Sequence, residues 1–492
     1  MRKGTIVAVV LGVLLVLGIG LYVIYTSPPP QRVVTQPQPK PERPQVAVGA
    51  ELKPVDEVVF VEEPNFAKAI DMLEAGQLDL YADGTNDPEL ERKIKASPSL
   101  QYTTSYGTYN ELTFNPVGPT FPGTGKLNPF YISAIREAIN WLVDRSYIAQ
   151  EIYGGLAVPR YLPLTNAFPD YARLADVARA LEIRYAHNPQ KAKAVITEEM
   201  QKLGAQLKAG KWHYQGEAVK LIFIIRVEDK RREIGDYVAT LLEDLGFEVD
   251  RQYKTAAEAS PIWIGSDPAE GRWHLYTGGW ITTWISRDQA GNFNFFYTPR
   301  GRPDPLWQAY TPAPEFAEAA DRLARRDYTS WEERQELMAR ALELSLKDSA
   351  RVWIVNAIEV WPRRKGVELA ADLAGGVSGA WLWPFTLRSK EGGRVTFGTP
   401  SILTEPWNPE AGSNWIYDTM IMRATGELSL LPDPFTGLYW PQRVKAVEVY
   451  VQEGTPVTQT HGWLKLSFVP RIEVPSDAWL DWDAVEQKFI TV

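Results

Sequence analysis

The side chains best suited to chemistry in this chain are aromatic and amide groups. Trp280 and Trp284 flank a short turn directly after Gly278 and Gly279, where a strand-like stretch ends, and Thr283 lies between them. Loops at strand ends are a common place for ligand sites. Tyr109 and Asn110 stand at the head of a second strand-like run. Asn414, Trp415 and Tyr417 open a stretch that predicts a helix, whose N-terminal amides suit a ligand carboxylate. These residues are the expected ligand contacts, with the rings as stacking or apolar walls and Asn and Thr as hydrogen-bonding groups. For Trp280 and Trp284, packing into a core is an equally good explanation.

Other chemistries lack their residues. There are four histidines, His187, His213, His274 and His461, and none is spaced as a metal pair. The stretch Gly123–Lys126 (GTGK) has neither the earlier glycine nor the following Ser/Thr of a phosphate-binding loop. Asp477 and Asp481 could be imagined as the acid and nucleophile of a glycosidase, but a chain with 61 acidic residues makes such pairs by chance. Glu62–Glu63 and Glu198–Glu199 read as solvated faces. Without cysteine there is no thiol nucleophile, thiolate metal site or lipid attachment point. The expectation is no catalytic residue, no metal and no cofactor.

A length of 492 residues predicts two or three lobes. A net charge of -9 argues against a nucleic-acid partner. Arg2 and Lys3 precede an uncharged run of 22 residues, Thr5–Thr26, long enough to cross a bilayer. That length, and the prolines after Ser27, favour an uncleaved anchor over a signal peptide. Residues 1–27 are therefore expected to hold the chain to the membrane with the bulk outside. Residues 28–52 form a Pro-rich linker.

The elements that must position the candidates follow an alternating pattern. Val55–Glu63 predicts a strand. Asn65 and Gly76 bracket a helix, and Leu78–Tyr81 predicts a second strand, a βαβ unit implying a parallel pair. Val219–Val227, a helix ending at Gly246 and Phe247–Tyr253 repeat it. Asn188–Pro189 starts a helix, as does Ser330, which makes a capping box with Glu333. In the last hundred residues, Val395–Gly398, Val444–Val451 and Trp463–Val469 predict strands and Ser413–Ala424 a helix. The fold class is α/β.

Six segments, in order, resemble the family 5 extracytoplasmic solute-binding proteins of ABC importers, the oligopeptide, dipeptide and nickel binders. They are AKAIDMLEAGQLDLYADG (Ala67–Gly84), NELTFNP with IREAINWLVDRSYIAQEIYGGLAVP (Asn110–Pro116, Ile135–Pro159), NPQKAKAVI (Asn188–Ile196), IGDYVATLLEDLGFEVD (Ile234–Asp250), YTGGW (Tyr276–Trp280), and YTSWEERQELMARALELSLKDSARVWIVN (Tyr328–Asn356). The resemblance implies a two-lobed, hinged fold of the type II periplasmic-binding-protein kind. It implies a peptide held between the lobes, delivery to an ABC permease with its ATPase, and no enzymatic activity. It divides the chain into a first-lobe part (53–117), a second lobe (118–390) and a first-lobe-like segment (391–492). The chain departs from the family at two points. Val395–Asp418 looks like the beginning of a mature member yet follows the usual end, so the first lobe looks permuted or truncated. Peptide binders often carry an Asp soon after "GW"; here Ile281, Thr282, Thr283 and Trp284 follow, and the first carboxylate is Asp288. The alternatives are an oligosaccharide binder of the same family and, from another class, a cell-envelope hydrolase.

Overall fold

The computed structural model describes residues 52–402, 416–455, 457, 460–473, 476, 480–483 and 486–491. The Thr5–Thr26 run and all of the Pro-rich linker but Leu52 lie outside the described residues. Among those described, no helix is long and apolar enough to cross a membrane.

Two mixed sheets organise the chain. The first runs in the order Val367–Glu368, Arg388–Ser389, Lys53–Glu62, Gly393–Thr399, Leu80–Tyr81, Glu359–Arg364, Leu100–Ser105. The second runs Glu248–Lys254, Lys220–Arg226, Leu275–Ile281, Thr108–Phe114, Arg351–Ala357, Ala157–Pro159. The expected βαβ unit is present with one change. Lys53–Glu62 and Leu80–Tyr81 are parallel but not neighbours, because Gly393–Thr399 lies between them, parallel to both. The second unit forms as expected, Lys220–Arg226 pairing in parallel with Glu248–Lys254.

The helix caps explain where the crossover helices begin and end. Asn65 Oδ1 accepts from Lys68 N at 3.0 Å and opens the helix Phe66–Glu74. Asn188 Oδ1 accepts from Lys191 N at 3.0 Å at the head of Pro189–Lys202. Both satisfy amides that the helix itself leaves unpaired. Ser330 Oγ accepts from Glu333 N, but the Glu333 carboxylate turns back to Thr329 N, one residue before the expected box partner. The segment Ser133–Ile152 is not one helix but three short ones, Ser133–Leu142, Arg145–Tyr147 and Ile148–Ile152; Asp144 takes the amides of Ser146 and Tyr147 and starts a new turn.

Alternation along the strands gives the first sheet two apolar faces. Leu80, Trp361, Trp383, Val395 and Phe397 build one core. Tyr81, Val360, Leu100 and the helix residues Ile70, Leu73 and Ile94 build the other. The second sheet is enclosed in one larger core that includes Leu112, Phe223, Ile225, Trp353 and Val355. Glu63, expected on a solvated face, is buried; it accepts from Asn65 N and pairs with Lys68.

The chain passes from the first sheet to the second at Tyr106–Gly107 and back at Ile358; the part built on the first sheet is the first lobe and the part built on the second sheet the second lobe. The strands Glu359–Arg364 through Gly393–Thr399 belong to the first sheet. Beyond them come the helix Ile416–Thr425 and three two-stranded pairs: Leu430–Pro432 with Tyr439–Pro441, Val447–Gln452 with Leu464–Val469, and Leu480–Asp483 with Lys488–Thr491.

Candidate functional site

The two crossings between sheets run side by side. Ser105 pairs with Glu359 in the first sheet, and Tyr109 pairs with Asn356 in the second. Asn356 Nδ2 donates to Tyr106 O at 3.2 Å, tying one crossing to the other. Tyr106 N and Gly107 N donate to Leu373 O and Ala374 O at 2.9 and 3.0 Å. The two sheets are thus joined at two neighbouring points of the chain.

Carboxyls gather at this seam. Glu359 accepts from Thr108 Oγ1 at 2.8 Å, across the crossing, and burial pushes its carboxyl up to about 7, with the charge of nearby Asp83 adding to the shift. Asp83, at the end of the Leu80–Tyr81 strand, is likewise pushed up to about 7 by burial against only one amide partner, Gly84 N. Asp372 accepts from Ala374 N and Gly375 N and is raised to about 6 by burial. From the second lobe, Lys230 approaches Asp87 to 3.9 Å. Arg231, buried, is held by Asp229 through Nε and Nη2 at 2.8 and 2.6 Å.

The Gly-Gly pair of YTGGW is explained by close approach. A side-chain carbon at Gly279 would come within 2.9 Å of Arg231 Nη1 and 3.0 Å of Asn110 Nδ2; at Gly278 it would collide with the Glu111 carboxylate. Beyond the strand, the loop from Thr282 lies on the first lobe. Thr282 N donates to Gly107 O at 2.9 Å, and the Thr283 carbonyl sits so close to Gly375 that a side chain there would overlap it.

The expected contact residues fall mostly at this seam. Register places Trp280 opposite Tyr109 and Gly279 opposite Asn110, at the crossing end of the second sheet. Tyr109 is buried, its ring 3.8 Å beneath the Arg160 guanidinium. Asn110, also buried, accepts from Tyr153 Oη at 2.6 Å. Trp280 is half-buried, edge-on to Phe295, Phe296 and Trp307, with its indole N–H donating to Glu111 at 3.3 Å. Thr283 and Trp284 are exposed, and Trp284 faces Trp381 of the first lobe at 6.4 Å. Asn414 and Trp415 lie outside the described residues. Tyr417 belongs to the helix Ile416–Thr425, and its side chain lies outside them too.

Asp83, Arg231, Glu359, Asp372, Trp381 and Arg423 were not singled out by sequence. Asp83 sits inside a family-like segment; the others carry no local signal and meet only through the tertiary fold. Asp288, the first carboxylate after YTGGW, pairs with Arg334 at 2.8 Å. His274 is buried, bonded to Ile222 N and Leu127 O, and held down to about 4 by desolvation, a neutral structural group.

Two sheets joined by paired crossings make a fold of mixed α/β class. The model for bacterial extracellular solute-binding proteins, family 5 Middle, matches residues 15–302, more than half of the chain, and the chain belongs to that family. No curated protein matches it. Similar solved structures include the oligopeptide-binding protein AppA of Bacillus subtilis with a nonapeptide, at 16% identity and a TM-score of 0.48, covering 62% of this chain and 55% of that one. DppA of Helicobacter pylori with the peptide STSA is 18% identical at a TM-score of 0.49, covering 67% and 56%. NikZ of Campylobacter jejuni with Ni(L-His) is 14% identical at 0.47, covering 63% and 56%. The chain thus spans little more than half the length of each of these proteins.

Proposed function

We propose that this protein is the extracytoplasmic substrate-binding component of an ABC importer, capturing peptides between its two lobes and handing them to a membrane permease. Family membership supports solute binding outside the cytoplasm. The observation that carries capture between lobes is the pair of adjacent crossings at Tyr106–Gly107 and Ile358, with exposed Trp284 and Thr283 presented to the first lobe. Peptides are the solute class that the sequence resemblance implies. The Thr5–Thr26 run would keep the protein beside its permease, in the absence of any cysteine for a lipid.

A melting-temperature panel tests the reading. Short peptides should raise the melting temperature of the purified chain through binding to the folded state, and should be recovered uncleaved. A panel in which only oligosaccharides shift it would favour the sugar-binding alternative, for which the Trp284–Trp381 pair supplies stacking faces. Cleaved peptides would point to a hydrolase.

A further inference from the structure

A cavity of about 660 Å³ opens at the far end of the second sheet. The strands Thr108–Phe114 and Arg351–Ala357 run antiparallel, and their ends at Thr108 and Ala357 lie at the crossings. Pro116, just beyond Phe114, and Ala350, just before Arg351, line the cavity. A strand of 7 residues spans roughly 20 Å, which sets the distance to the seam. Tyr310, Phe316 and Pro312 supply apolar walls, and Arg136 and Asp348 line the same space. Exposed Lys347 lines it too, but is paired with Glu343 at 3.3 Å. Arg136 is only 7% exposed. Its Nε donates to Asp348 O at 2.9 Å, and its Nη1 to Phe130 O and Tyr131 O at 2.7 and 3.0 Å. Asp348 Oδ1 accepts from Ala350 N at 3.0 Å. The two charges meet at Nη2 and Oδ1, 3.7 Å apart, too long for a hydrogen bond. Arg136 Nη2 and Asp348 Oδ2 therefore have no hydrogen-bond partner among the described residues. Burial lowers the pKa of Arg136 and raises that of Asp348, so each charged form is short of solvation.

Buried charges are ordinarily paired and fully hydrogen-bonded. This pair keeps a donor and an acceptor in reserve, side by side at the wall of a cavity of small-molecule size. A ligand that completes both must accept at one atom and donate at a neighbouring one. Opposite charges on those atoms suit the pair best, because charge-assisted hydrogen bonds are the stronger kind. The head group of a free amino acid has this arrangement, with a carboxylate for Nη2 and an ammonium for Oδ2. The rings of Tyr310 and Phe316 would pack against an aromatic side chain. We propose that this cavity is a binding site of its own for a free aromatic amino acid, held by the Arg136–Asp348 pair and remote from the seam. It goes beyond the peptide-capture reading and does not depend on it.

The test is isothermal titration of the full chain with L-phenylalanine and with hydrocinnamate, the same acid without its ammonium. The wild type should bind phenylalanine at millimolar concentration or below, and about tenfold or more tighter than hydrocinnamate, the scale of one charged hydrogen bond. Asp348→Asn keeps an acceptor for Ala350 N and removes the charge, so the ratio should fall towards one in that variant, whose melting transition checks that it folds. Ala313→Trp, at an exposed position of the wall, should abolish binding of both by filling the cavity. Saturating random tetrapeptides should leave phenylalanine binding unchanged. No phenylalanine binding, a wild-type ratio near one, or variants that bind as the wild type does would each overturn the site. Displacement of phenylalanine by the tetrapeptides would overturn it as well, while leaving peptide capture standing.

Discussion

Trp280 stands where the sequence puts an aromatic wall, and its ring is held on three sides by Phe295, Phe296 and Trp307. Trp280→Ala should therefore cost about 3 kcal/mol of stability, as for other large-to-small changes in packed surroundings. Urea denaturation reads this, and a loss below about 1 kcal/mol would mean that the ring is not packed. Next to it, Arg351 and Glu111 form an ion pair at 2.8 Å with both side chains fully buried. Glu111 Oε1 also takes the hydroxyl of Thr113 at 2.6 Å. Arg351→Met leaves a buried carboxylate without its cation and should destabilise by about 3–5 kcal/mol, and the double change with Glu111→Met should recover most of that. A double variant no more stable than Arg351→Met would show that the cost lies in packing, not in the stranded charge.

Among the elements, the crossings between the sheets hold carboxyls with raised pKa values. Glu359 has an ordinary pKa of 4.5 and is held at about 7 in the fold, and Asp83 rises from 3.8 to about 7. A carboxyl with a raised pKa binds its proton more readily when folded, so the contribution of these two groups to stability is greatest at acid pH. It is lost as pH rises from the ordinary carboxyl range through about 7. Glu359→Gln should remove part of this slope, so that between pH 5 and pH 8 the variant loses less stability than the wild type in urea. Equal losses would show that Glu359 does not titrate in that window. How far such elements could be read from sequence depended on range. Asn65, Asn188 and Ser330 cap helices through bonds to amides three residues away, so local spacing was enough. The place of Gly393–Thr399 between Lys53–Glu62 and Leu80–Tyr81 joins strands over 300 residues apart, and periodicity says nothing about neighbours at that distance.

For the whole molecule, the seam is assembled from stretches near 83, 106, 231, 282, 359, 372 and 423, and their meeting is a property of the two-sheet topology. Sequence could mark Trp284 because it follows a Gly-Gly strand end. It could not mark Glu359 or Arg423, whose surroundings in the chain are ordinary. That the chain changes sheets at Ile358 depends on Arg351–Ala357 and Glu359–Arg364 lying in different sheets with one residue between them. Capture as proposed requires these lobes to close on a peptide about the paired crossings. The cysteine-free chain suits a direct measurement. Spin labels on Phe385→Cys in the first lobe and Ile183→Cys in the second, 44% and 70% exposed, report the distance between lobes. Adding random tetrapeptides should narrow the distance distribution to a single shorter population; an unchanged distribution at saturating peptide would contradict capture between the lobes.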